Sequence, residues 1–92
     1  MAAYEFKYYQ DAGHGWVAVK RKLLEELDVA IRISGFSYQS KSGSTVYLEE
    51  DCDLPYFHEA YAKRFGYYPT YIEKYVGNRA AIRSYPRYEE PL

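Results

Sequence analysis

Residues 44–66 constrain the fold of this chain most. They pass from an alternating apolar stretch through a run of acids into a helical pattern. Val46 and Leu48 point one way and Tyr47 and Glu49 the other, which predicts a half-buried strand. Asp53 suits an N-cap, and Pro55 suits the first helical turn, where its missing donor would be orphaned anyway. Leu54, Phe57, Tyr61 and Phe65 then recur at helical spacing, and Gly66 suits a left-handed stop. A strand that feeds at once into an amphipathic helix calls for a helix laid on a sheet, and the rest of the chain supplies the sheet.

Residues 3–9 alternate, with Tyr4, Phe6 and Tyr8 on one face and Glu5, Lys7 and Tyr9 on the other. They predict a strand. Gln10 to Gly15 is a turn, and Trp16 to Val19 returns as a second strand, so these two form a hairpin. Lys20 to Asp28 predicts a short helix with Leu23, Leu24 and Leu27 inward. Val29 to Ser34 connects. Gly35 to Ser40 and residues 44–50 predict a second hairpin across the turn at Lys41-Ser42-Gly43. After the helix at 53–65, Tyr68 to Val76 predicts a fifth strand, with Pro69 suited to an edge. Ala80 to Tyr85 reads as a sixth strand or an irregular segment, and Pro86 onward as tail. The expectation is one α+β domain over residues 1–92. It has an antiparallel sheet of about five strands with two helices packed on one face, in ββαββαβ order.

Thirteen of the 92 residues are Tyr, a side chain with an apolar body and a wet end that suits half-buried sheet faces and interfaces. The net charge of −1 argues against a DNA mimic and against a generic nucleic-acid binder. The charges are unevenly placed. Glu49, Glu50, Asp51, Asp53 and Glu59 fall where there is no Lys or Arg, and Lys63, Arg64, Lys74, Arg79, Arg83 and Arg87 follow against Glu73 alone. The lone Cys52 excludes an intramolecular disulfide. No apolar run approaches the roughly 20 residues of a membrane span, and the first residues do not form a signal peptide, so no membrane partner is expected and the expected location is cytoplasmic.

Few residues carry chemistry. Asp11 and His14 lie close in a Gly-His-Gly loop, and a carboxylate can orient an imidazole for acid–base work. Cys52 sits among Glu50, Asp51 and Asp53, which oppose a thiolate, and it is expected to be a small buried apolar residue. Cys52, His58 and His14 lack the spacing of a metal site, and residues 49–53 lack the pattern of a calcium loop. No phosphate-cradling loop or nucleophile elbow is present, so neither a cofactor nor a metal is expected, and the chain reads as a non-enzyme.

The stretches Tyr8-Tyr9-Gln10-Asp11-Ala12-Gly13-His14-Gly15-Trp16 and Val46-Tyr47-Leu48-Glu49-Glu50-Asp51-Cys52-Asp53 resemble those of a family of small uncharacterised proteins found in phage genomes and in mobile or prophage regions of bacteria. That family reads Tyr-Gln-Asp-Pro-Gly-His-Gly-Trp, and Ala12 here replaces the Pro. The similarity extends to Ile82-Arg83 and Pro86-Arg87. The resemblance implies a setting rather than a chemistry: an accessory protein that binds host machinery, including defence systems, in an infected or lysogenic bacterial cell.

Three readings follow. The first is a phage-type accessory protein that binds a host protein, through Tyr9, Tyr47, Tyr56, Tyr71 and Tyr75 with Trp16 nearby, the acids Glu49 and Glu50, and Arg79, Arg83 and Arg87. A homodimer is compatible with the same surfaces. The second is a weak single-stranded nucleic-acid binder, because Arg79, Arg83 and Arg87 recur every four residues beside Tyr85 and Tyr88. The third is a small enzyme that uses Asp11, His14 and Cys52.

Overall fold

The computed structural model describes residues 5–90. Ala3 and Tyr4, expected to open the first strand, lie outside the described residues. Strand β1 (Glu5–Gln10) pairs antiparallel with β2 (Gly15–Lys20), and helix α1 (Arg21–Glu26) follows. A 3-10 turn at Ala30–Arg32 leads to the hairpin of β3 (Tyr38–Gln39) and β4 (Thr45–Glu49). Helix α2 (Leu54–Phe65), strand β5 (Thr70–Tyr75) and a second 3-10 turn at Ala81–Ser84 complete the described chain. The sheet order is β3-β4-β2-β1-β5.

The class is α+β as expected, but the sheet is mixed. Strand β5 runs parallel to β1. The reason is the crossover. Strand β2 is antiparallel to both β1 and β4, so β4 runs with β1. Helix α2 carries the chain back over the sheet, and the next strand starts again in the direction of β4. The element order also departs from the expected ββαββαβ through the two 3-10 turns, the second of which stands where a sixth strand was expected.

Alternation builds the main core. Phe6, Val17, Val19, Val46 and Leu48 project from one face of the sheet and are buried with Leu24 of α1 and with Phe57 and Tyr61 of α2. Phe6 meets Phe57 and Tyr61 edge-on, at ring centroid distances of 5.1 and 5.8 Å. Gly66 ends α2 in the left-handed region at φ 83°, its N–H bonded to the Ala62 carbonyl.

The opposite face carries a second, smaller core. Trp16 and Tyr38 are buried there under Ala80 and Ile82, with Tyr9 and Tyr47 at its margin. The C-terminal segment therefore covers part of the face that the helices leave open. Beyond it the chain is not a free tail. Arg87 bridges to Tyr38, Gln39 N–H donates to the Pro86 carbonyl, and Tyr88 N–H donates to the Ser37 carbonyl. The Tyr88 hydroxyl reaches the Ala30 carbonyl at 2.6 Å and its ring joins the main core.

Asp53 occupies the N-cap position of α2, but its side chain makes no capping bond. It is buried and turned to another task. Its carboxylate accepts from Ser34 N–H at 3.0 Å, from Ser34 Oγ at 2.8 Å and from the Ser37 hydroxyl. Ser37 Oγ in turn accepts from Glu49 N–H at 3.0 Å. This network holds residues 34–37 off the sheet, which is why β3 is two residues long rather than the predicted six. Asp53→Ala should cost about 3 kcal/mol in urea unfolding, above the roughly 0.5–2 kcal/mol of a lost cap. Phe57→Ala should cost roughly 3–5 kcal/mol in the same measurement.

Candidate functional site

Asp11 shows what the Gly-His-Gly loop is built around. Its Oδ1 accepts from Gly13 N–H, from His14 N–H and from Arg83 Nη2, each at 2.9 Å. Its Oδ2 accepts from Ala80 N–H at 2.9 Å and from Arg83 Nε at 2.6 Å. The Arg83 guanidinium also stands over the Trp16 ring, 5.2 Å from its centroid. The Arg83 bond, with the three backbone N–H groups, holds the Asp11 carboxyl well below the usual carboxylate range against the opposing effect of its burial. A carboxylate so saturated takes up no proton during a reaction. It bonds the backbone of His14 and not the ring, so the Asp11–His14 acid–base pair is not assembled.

Six of the residues singled out in the sequence meet in one concavity of about 350 Å³ at the start of β2 and the end of β4: His14, Trp16, Glu49, Cys52, Arg83 and Arg87. Trp16 and Glu49 are direct partners across the two strands. Both are buried, so neither is offered to a protein partner as a surface side chain. Glu49 Oε1 accepts from Asp51 N–H at 2.8 Å and Cys52 N–H at 2.9 Å. Its Oε2 lies 3.4 Å from His14 Nδ1 but has no hydrogen-bond partner, and Trp16 Nε1 has none either. Phe36, 64% exposed, also lines this concavity, and no sequence signal marked it because it fell inside a predicted strand.

Cys52 is exposed, which corrects the expectation of a buried residue. It lies in the turn after β4, where the alternation that buries Val46 and Leu48 has ended. Desolvation, then a hydrogen bond to the Glu49 carboxylate and the charges of Glu49, Asp53 and Asp51, push its thiol up. No hydrogen bond joins it to His14 among the described residues, so the Cys–His arrangement of a nucleophile is not formed.

The remaining candidates separate. Tyr9 and Tyr47 sit side by side with ring centroids 6.4 Å apart, and Tyr85 packs on Tyr47 at 5.2 Å. With Val76, Arg79 and Ile82 they line a groove of about 400 Å³. Burial, then Tyr85 and Tyr9, push the Tyr47 hydroxyl up. Tyr71 turns to the helix side, where its hydroxyl meets His58 Nδ1 at 2.9 Å. Glu50 accepts a short hydrogen bond from Tyr8. Tyr56 lies exposed on α2 beside a groove between that helix and residues 27–32. Arg79 reaches Ser84 Oγ, Arg83 is bound to Asp11, and Arg87 Nη1 donates to the Gly35 carbonyl while stacking on Tyr38. The three arginines are thus held by separate partners, Arg83 and Arg87 at the concavity and Arg79 at the groove.

Strand β5 ends the sheet order, and its outer edge pairs with nothing among the described residues. Ile72, Tyr75 and Val76 are exposed along it, Tyr75 at 68%. No helix among the described residues is long and apolar enough to cross a membrane. No family model, curated protein or solved structure matches this chain.

The Asp11 anchor has a pH signature. Its folded pKa lies below its unfolded value, so its contribution is complete above about pH 5 and is lost as pH falls through about 4 and below. Asp11→Asn should lower the melting temperature at pH 7, on the order of 10 °C, and flatten the acid side of the stability profile. Thermal melts from pH 2 to pH 8 check both.

Proposed function

We propose that this chain is a small non-enzymatic accessory protein of a phage or mobile element that acts in the cytoplasm of a bacterium by binding a host protein. The observation that carries this reading is the difference between the two edges of the sheet. The β3 edge is closed by the chain's own residues 86–88, and the β5 edge is open with Ile72, Tyr75 and Val76 beside it. An open edge presents unpaired N–H and C=O groups, and such edges are ordinarily short, charged or covered. A six-residue edge with exposed apolar side chains suits strand addition by an extended segment of a partner, with the main chain giving affinity and alternate side chains giving specificity. Tyr is among the residues that most often dominate such interfaces.

The setting implied by the Tyr-Tyr-Gln-Asp and Val-Tyr-Leu-Glu-Glu-Asp signatures makes a component of host defence the favoured class of target. A second copy of this chain is the competing occupant of the same edge.

Ile72→Lys with Tyr75→Lys should leave the melting temperature within a few degrees, because both side chains are exposed. The pair should reduce retention of a specific host protein from bacterial lysate at least tenfold. A photo-crosslinker placed at Tyr75 should capture the same protein. Retention unchanged in the double variant, or no specific protein retained by the folded wild type, would sink the reading. Sedimentation of the wild type as a dimer and of the variant as a monomer would assign the edge to self-association instead.

A further inference from the structure

The sheet face opposite the helices has a charge of its own. Register fixes which side chains share it. Lys7 and Tyr9 of β1 stand level with Ile72 and Lys74 of β5, and Tyr47 of β4 stands level with Ala18 of β2. Lys20, two residues further along β2, is level with Thr45. Ala80 and Ile82 cover Trp16 at one end of this face. Beyond them Lys7, Lys20, Ile72 and Lys74 are exposed, and Arg79 is exposed at the groove of Tyr9 and Tyr47. The acids among the strand residues of this face are Glu5, at the start of β1, and Glu49, which is buried. No ion pair among the described residues uses Lys7, Lys20, Lys74 or Arg79. The net charge of −1 is thus an average that hides a positive face.

The tyrosines divide in the same way. On the helix side, the hydroxyls of Tyr8, Tyr71 and Tyr88 are bonded to Glu50, His58 and the Ala30 carbonyl. On the bare face, the hydroxyls of Tyr9, Tyr47 and Tyr85 make no hydrogen bond among the described residues. Their rings form a row, with centroids 6.4 Å apart from Tyr9 to Tyr47 and 5.2 Å apart from Tyr47 to Tyr85. Tyr9 and Tyr47 are half-buried and Tyr85 is exposed, so the row is open to solvent. A single strand needs these two elements together. Every base has a flat face that stacks on an aromatic ring, and every phosphate is drawn to a cation beside it. A duplex hides its base faces. An acidic protein segment would use the cations but leave the row of rings without stacking partners.

We propose that the bare sheet face binds single-stranded nucleic acid, with bases stacked on Tyr9, Tyr47 and Tyr85 and phosphates held by Lys7, Lys20, Lys74 and Arg79. The site is not a run of arginines along the C-terminal segment, because Arg83 is held by Asp11 and Arg87 by the Gly35 carbonyl. Nor is it the β5 edge, since side chains rather than main-chain groups make the contacts.

Fluorescence anisotropy of labelled single-stranded DNA and RNA of about 12 nucleotides, titrated with the full chain at low salt, tests this. At least one of the two should bind saturably, and a duplex of the same sequence should bind at least about tenfold more weakly. Four cations on phosphates give a slope of about −3 for log K against log salt. Lys7→Glu with Lys74→Glu should weaken binding at least about tenfold. Tyr85→Ala should weaken it at least about fivefold. Lys22→Glu with Lys63→Glu makes the same change in net charge on the two helices and should leave binding nearly unchanged. All five side chains are exposed, so the variants should melt with the wild type. The absence of saturable binding to either strand would overturn the proposal, and so would duplex binding as tight as single-strand binding. An unaffected Tyr85→Ala would remove the stacking, and a helix-side pair as damaging as Lys7→Glu with Lys74→Glu would reduce the effect to overall charge; either overturns it. Polyglutamate that displaces the strand as well as unlabelled strand does would assign the face to an acidic protein segment instead.

Discussion

The ion pair between Asp11 and Arg83 holds the two ends of this fold together. It links residues 72 positions apart and places the C-terminal segment on the sheet face that the helices leave bare. Without it, Ala80 N–H loses its acceptor and Trp16 loses the cation above its ring. The pair is strong because the carboxylate is fully desolvated and every acceptor position is used, the condition under which a buried ion pair repays its desolvation. A small domain gains doubly from this arrangement. It covers apolar area on both sides of one sheet, where a two-layer fold of this length would cover one.

The same segment decides which edge of the sheet remains available. After Arg83 the chain runs past β3, pairs with it through Pro86, Arg87 and Tyr88, and sends the Tyr88 ring into the helix-side core. One strand edge is thereby removed as a docking surface. Strand β5 enters by a crossover and lands outside β1, beyond the reach of that segment. The open edge follows from the placement of β5 outside β1.

Local pattern made much of this legible. The alternation of residues 45–49 and the spacing of Leu54, Phe57, Tyr61 and Phe65 gave β4 and α2 within a residue or two, because both signals come from one buried face. Both hairpins followed from short turns between alternating runs. The parallel β5 was not legible, since strand direction depends on how α2 crosses the sheet and a helix carries no mark of where its successor pairs. The second core was missed for a related reason: Ala80, Ala81 and Ile82 make too short an apolar run to declare a face. Asp53 and Asp11 had suitable local uses, as a helix cap and as an imidazole partner. In each case a longer-range set of donors, Ser34 and Ser37 for one and Arg83 and Ala80 for the other, outcompeted the local one. Tertiary hydrogen bonds to a buried carboxylate are worth more than a solvent-exposed cap, so the override has a physical direction. His14, Glu49 and Cys52 were each singled out by residue type, but only the pairing of Trp16 with Glu49 brought them to one concavity.

The Gly-His-Gly loop joins the structural anchor to the candidate site. Its glycines are steric rather than flexible. A Cβ on Gly15 would collide with the Tyr8 ring, and one on Gly13 would lie 3.1 Å from Arg83 Nη2. Asp11 pins the backbone of Gly13 and His14 from inside. His14 is therefore a half-exposed imidazole on a backbone that is already ordered, facing a buried carboxylate oxygen. A side chain presented this way gives up less conformational freedom on meeting a partner group than one on a loose turn. The dependence runs through Arg83. Loosening that residue would release the loop backbone and with it the spacing between His14 and Glu49, so the stability of the anchor and the chemistry of the concavity are set by the same contacts.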